Sequence, residues 1–160
     1  MEFYKIDHEV TLEDIKKFNY PNQRLAMIVH FEDDQGRILL QQRGTNSRDE
    51  NGLYETIGGK FEEEDLTFKN AILREIKEEV GTEMNFTLSD SIGIYHCKKK
   101  DTNWIFIIYF GQYIDGKINV MEPTKCQGYK FFTYEEVLNS DLVTEGTKYL
   151  TKSIKKHRKI

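Results

Sequence analysis

Cysteine is scarce in this 160-residue chain: Cys97 and Cys126 are the only two, and they form no CxxC pattern. That argues against a structural disulfide and reads as reduced thiols in a cytoplasmic protein. No apolar run approaches the roughly 18 residues a bilayer span needs, so no membrane partner is expected. The first residues, MEFYKIDHEV, lack the basic-then-apolar pattern of a secretion signal. The formal net charge of −4 offers no bulk attraction for nucleic acid. Internal repeats, low-complexity segments and an inter-domain linker are also missing. What remains is 38% hydrophobic and 31% charged, the balance of a soluble globular protein, and residues 1–160 read as one domain.

Taken in order, Thr11-Leu-Glu-Asp has the pattern of a capping box opening a short helix over Thr11 to Phe18, closed by Pro21. Leu25 to Phe31 is a continuous apolar run of strand length. Asp33 to Gly36 is a turn signal, and Arg37 to Arg43 completes a hairpin. His30, inside the first strand, reads as a core or interstrand histidine. Gly44 to Gly52 is polar and loop-like; Arg43 is a candidate phosphate contact, whereas Arg48 reads as solvated. Leu53 to Ile57 reads as a short strand delivering the chain to Gly58-Gly59, and Lys60 follows as a point charge able to reach a diphosphate.

Phe86 to Cys97 and Asn103 to Tyr113 read as two strands joined by a basic turn from Lys98 to Thr102. The second is apolar on both faces, with Trp104, Phe106, Ile108 and Phe110 on one and Ile105, Ile107 and Tyr109 on the other, which places it centrally in a sheet. Trp104 reads as core packing. Thr133 opens another capping box, and Thr144 to Ile160 reads as a final helix with the basic tail KKHRKI, a solvated terminus.

The chemistry concentrates between Ile57 and Thr82. Glu75, Glu78 and Glu79 are spaced i, i+3, i+4, which at about 100° per residue gathers them on one helical face. Ile72, Ile76 and Val80 mark a different, buried face. Glutamates on a helix ordinarily form a solvated face. Here a Gly-Gly pair upstream permits close backbone approach, Arg74 stands ready to orient a carboxylate, and Gly81 ends the helix. Three neighbouring carboxylates repel one another, and solvent, a basic neighbour or hard divalent cations, which prefer oxygen ligands, resolve that repulsion.

GGKFEEEDLTFKNAILREIKEEVG resembles the Nudix box of MutT-like hydrolases, which reads G, five residues, E, seven residues, R-E-U-x-E-E-x-G-U, where U is aliphatic. Gly59, Arg74, Glu75, Ile76, Glu78, Glu79 and Gly81 match in type. The stretch from Gly59 to Arg74 is one residue longer than the family spacing, so the loop glutamate has no unique counterpart. Glu64 and Asp65 are candidates, strict counting falls on Leu66, and Thr82 takes the last aliphatic place. Further on, MEPTKCQGYKFF is similar to an E-P-x-K-C-x-x-W-x-W segment of several Nudix branches acting on nucleoside triphosphates. Glu122, Pro123, Lys125 and Cys126 match, with Tyr129 and Phe131 where tryptophans are usual.

The resemblance implies an α+β fold, a mixed β-sheet sandwiched between α-helices. It implies Mg²⁺ or Mn²⁺ held by Glu75, Glu78 and Glu79 with the backbone carbonyl near Gly58, Arg74 orienting the carboxylates, and Glu75 or Glu122 taking a proton from water. Lys60 and Arg43 would bind substrate. The implied reaction is hydrolysis of a nucleoside triphosphate to monophosphate and diphosphate. ADP-ribose or a nucleotide sugar is the next substrate class, an RNA 5′ end the third, and a Nudix-fold nucleotide-binding module without catalysis the alternative of another kind. The oligomeric state stays open, a homodimer included.

Overall fold

The computed structural model describes residues 1–45 and 50–158; Arg48 and the last two residues of the basic tail lie outside them. Eight strands are formed: β1 (Glu2–Lys5), β2 (Gln23–Glu32), β3 (Ile38–Arg43), β4 (Tyr54–Glu55), β5 (Ile57–Lys60), β6 (Asn85–Lys99), β7 (Thr102–Asp115) and β8 (Cys126–Phe132). The four α-helices are α1 (Leu12–Ile15), α2 (Phe68–Val80), α3 (Tyr134–Asn139) and α4 (Glu145–Arg158). The sheet runs β1-β6-β7-β2-β3-β4, with β5 added to β2 and β8 to β3. β2 and β7 pair in parallel over ten residues, from Gln23 opposite Asn103 to Glu32 opposite Gln112. The other pairings are antiparallel, so the sheet is mixed.

β7 lies between β6 and β2, as its two apolar faces require. Ile105, Ile107 and Tyr109 join Met27, Val29 and Phe31 beneath Ile72, Ile76 and Val80 of α2. On the opposite face Ile108 packs with Tyr95 and Cys97 against Leu150 and Ile154 of α4. One sheet with helices on both faces is the expected sandwich. Trp104, half-buried, stacks on Phe106 with centroids 5.6 Å apart. His30 is fully buried, in the core as expected, but only half satisfied: its Nε2 lies 2.9 Å from Glu32 Oε2 and 3.1 Å from the Tyr134 hydroxyl, while its Nδ1 is buried without a hydrogen-bond partner. No helix among the described residues is long and apolar enough to cross a membrane.

Three sequence expectations need correction. The first helix stops at Ile15 rather than Phe18: Lys17 and Phe18 donate to the carbonyls of Asp14 and Ile15, three residues back, and the α ladder is not continued. The last helix begins at Glu145, with Thr144 ahead of it accepting the Thr147 N–H. The third concerns Leu53 to Ile57, which is not one strand ending ahead of Gly58-Gly59. β4 ends at Glu55, and the glycines sit inside β5, opposite Ile28 and Met27 of β2. A Cβ on Gly58 would come within 2.2 Å of the Met27 carbonyl oxygen, and one on Gly59 within 2.1 Å of the Glu75 carboxyl carbon. Gly58 therefore lets β5 close on β2, and Gly59 lets α2 close down on β5.

Gly58→Ala should force β5 off β2 and destabilise the protein by roughly 1–3 kcal/mol, the usual cost of overpacking. Gly128→Ala, where nothing lies within 4 Å of the added carbon, should unfold in denaturant like the parent chain.

Candidate active site

α2 carries the acids. Thr67 caps it by accepting the Asn70 N–H at 3.1 Å, and Gly81 terminates it. Because the apolar face is pinned under the sheet, the acid face is graded in depth. Glu78 has a side chain 49% exposed, Glu75 one 14% exposed, and Glu79 turns a buried Oε2 inward with no hydrogen-bond partner.

Arg74 organises the approach to them. It donates from Nε to Asp65 Oδ1 at 2.7 Å and from Nη2 to Asp65 Oδ2 at 2.9 Å, the two-pronged geometry that suits a guanidinium and a carboxylate. Nη2 also donates to the Lys60 carbonyl at 3.0 Å, and Nη1 to Glu75 Oε1 at 2.9 Å and to both Glu78 oxygens at 3.3 Å. This pairing holds the Asp65 carboxyl below its ordinary range and raises the Arg74 guanidinium further. Asp65 is thus the loop acid that meets Arg74, while Glu64 is exposed. The inserted residue is accommodated at Leu66, which takes φ 68° and is 80% exposed. Flipping that one residue outward lets Asp65 reach Arg74 despite the longer loop.

Beside Gly58 and Glu79 opens a cavity of about 310 Å³. Glu122 and Lys125 line it from the loop before β8 and pair at 2.9 Å. Gln41 and Arg43 line it from β3, two residues apart and so on one face of the strand. Glu55, opposite Gln41 in register, receives Arg43 Nη1 on both carboxylate oxygens, at 2.9 and 2.8 Å. Burial pushes the Glu79 carboxyl well above the ordinary carboxylate range, and Glu75, Glu55, Glu122 and Glu78 push it the same way. Burial also raises Glu55, against the pull of Arg43, and raises Glu75, against the pull of Arg74.

Of the residues singled out from sequence, Arg43, Gly58, Glu79 and Glu122 share this cavity. Glu75, Glu78 and Arg74 form its neighbouring acid–guanidinium cluster. Lys60 is exposed at the end of β5, outside the lining, and holds Arg74 through its carbonyl. Glu55 and Gln41 were missed. Strand alternation from Arg43 points to Gln41, but Glu55 emerges only from the β3–β4 register.

As the side chains stand, no three His, Cys, Asp or Glu among the described residues enclose an ion-sized site. The donor chemistry nonetheless fits a hard cation. Glu79, which lines a cavity beside bare glycine backbone, carries a buried carboxylate oxygen without a partner, and four more carboxylates bear on it.

A carboxylate whose proton the folded state binds more tightly than the unfolded chain favours folding as pH falls and opposes it at neutral pH. Glu79→Gln should therefore stabilise the metal-free protein at pH 7 by on the order of 1–3 kcal/mol, read as a higher melting temperature, for relief of an unpaired buried group. The gain should shrink as pH is lowered toward the raised value. Asp65→Asn should do the reverse, lowering thermal stability at pH 7 by roughly 1–3 kcal/mol as its charge-assisted bonds to Arg74 weaken. That loss should vanish under acid, where the parent carboxyl is itself protonated. Scanning calorimetry with chelator present checks both.

Residues 21–153 match the sequence pattern of the NUDIX domain. No curated relative matches the chain in sequence. Among solved structures, the fold is similar to a MutT protein from Methanosarcina mazei Go1, with a TM-score of 0.72 and 21% identity, covering 89% of this chain and 99% of that one. It is also similar to a MutT NUDIX hydrolase from Burkholderia pseudomallei, with a TM-score of 0.64 and 22% identity, covering 82% and 98%. A third is the NUDIX domain of Shewanella oneidensis NrtR, solved with ADP ribose, with a TM-score of 0.66 and 17% identity, covering 89% and 92%. With the domain pattern matched over most of its length and the fold shared, the chain belongs to the Nudix (MutT-like) family.

Proposed function

We propose that this chain is a hydrolase of phosphoanhydride bonds, acting with Mg²⁺ or Mn²⁺ on a nucleoside triphosphate to release monophosphate and diphosphate. The observation that carries the reading is the partnerless, buried Glu79 Oε2 beside Gly58, crowded by Glu75, Glu55, Glu122 and Glu78. These acids outnumber the Arg43, Lys125 and Arg74 side chains paired with them, and the negative excess suits a site built to work with cations and a polyphosphate. Glu75, Glu78 and Glu79, with the backbone at Gly58, are the groups to hold the metal. A divalent cation there supplies charge neutralisation at phosphoryl oxygens and a lowered pKa for water.

The chain's own residues do the rest. Arg74 locks Glu75 and Glu78 to the loop through Asp65, so the acids are presented in one orientation. Glu75, next to Gly59, or Glu122, across the cavity from Gly58, accepts the proton of the attacking water. Arg43 meets substrate phosphate from the cavity wall, its guanidinium set in place by Glu55. Lys60 adds a point charge at the open end of β5. Lys125, its ammonium favoured by Glu122, stands at the mouth for a departing anion.

Glu75→Gln, Glu78→Gln and Glu79→Gln should each lower kcat by about two decades or more while circular dichroism stays that of the parent protein. Arg43→Ala should raise KM more than it lowers kcat. A panel of nucleoside triphosphates, ADP-ribose, a nucleotide sugar and 5′-triphosphorylated RNA, with released phosphate, diphosphate and monophosphate measured, ranks the substrate classes. Activity confined to RNA ends or to ADP-ribose would replace the triphosphate reading. The grip of Arg74 on Glu75 and Glu78 is what favours the other reading, a nucleotide-binding module without turnover. Nucleotide binding with no hydrolysis of any panel member, with either metal, would establish it.

A further inference from the structure

A second cavity, about 520 Å³, lies away from the carboxylates, between the segment entering β2 and the β6–β7 hairpin. Asn103 forms its floor: 5% exposed, it donates from Nδ2 to the Pro21 carbonyl at 2.7 Å and meets His96 Nε2 with Oδ1 at 2.9 Å. His96 is thereby held in one ring orientation, and Tyr20 stacks on it with centroids 3.9 Å apart and planes at 12°. Asn22 takes φ 51° and donates to the Asp101 carbonyl at 3.2 Å, tying the two walls together. Lys98, two residues beyond His96 on the same strand face, brings an exposed ammonium to the rim, and Asp101 stands across from it. Lys99 points the opposite way and pairs with Glu50, in the loop leading to β4 and the catalytic cavity, at 2.7 Å. The two cavities thus flank a single hairpin tip.

We propose that this cavity is a second nucleotide site, distinct from the carboxylate cluster. Because Tyr20 stacks between His96 and Phe18, a planar base packs on the outer face of His96, its phosphate meets Lys98, and its ribose hydroxyls donate to Asp101. Aromatic faces accept any base by stacking. A lysine ammonium receives phosphate as a point charge. The rings and the amide floor are already braced by hydrogen bonds to backbone and to each other, so little ordering remains for a ligand to impose.

The test is calorimetric titration of AMP into the full-length protein in chelating buffer, in parallel with Lys98→Ala and Glu79→Gln. Saturable binding weakened about tenfold by Lys98→Ala and unchanged by Glu79→Gln is the expected result. Adenosine, lacking the phosphate, should bind the parent and Lys98→Ala alike, and amide shifts on AMP addition should centre on residues 20–22 and 96–103. Absence of saturable binding through the millimolar range, or AMP binding that Lys98→Ala leaves intact, overturns the proposal. So does binding that maps to Arg43 and Glu55 instead.

Discussion

One guanidinium holds the acid site together. Arg74 reaches the loop through Asp65, the end of β5 through the Lys60 carbonyl, and its own helix through Glu75 and Glu78. The arrangement exploits the shape of arginine, whose planar fork can satisfy several acceptors at fixed angles where a lysine would offer a single mobile charge. It also sets a balance of charge. Arg74 neutralises the outer acids but reaches neither Glu79 nor Glu55, so negative charge accumulates toward the cavity rather than at the surface.

The depth of that charge follows from packing. Ile72, Ile76 and Val80 commit one face of α2 to the sheet, and β5 lies close enough to the helix that a glycine is needed at Gly59, where it meets Glu75. Close approach carries Glu79 into a poorly solvated place, where its proton is held more firmly than in water. A carboxylate so placed is costly in isolation. The cost is consistent with a site that functions only when cations and a polyphosphate join it, and it is why stability and proposed activity pull in opposite directions at this residue.

Arg43 and Glu55 set a second, smaller balance on the far wall. Their pairing keeps a cation inside a largely acidic cavity without letting it collapse onto Glu79. The β6–β7 hairpin adds a third link, since Lys99 binds the loop that leads to Glu55. The strands that frame the cavity are therefore connected through ion pairs at their ends as well as through the ladder.

Local pattern made much of this chain legible before any coordinates. Apolar spacing located α2 and its buried side, β7 announced its central place by being apolar on both faces, and Thr11 and Thr133 marked helix starts, because each of these depends on neighbours a few residues apart. The acids of α2 and the family resemblance were readable for the same reason. Contacts between distant segments were not. Spacing alone could not choose among Glu64, Asp65 and Leu66, since the choice turns on Leu66 adopting a left-handed backbone that leaves Asp65 facing Arg74. Glu55 became a site residue only when strand register set it opposite Gln41, and Gly58-Gly59 proved to be strand only when β2 lay alongside. Periodicity is a property of one segment; a cavity belongs to several at once, and its walls are settled by how the sheet brings them together.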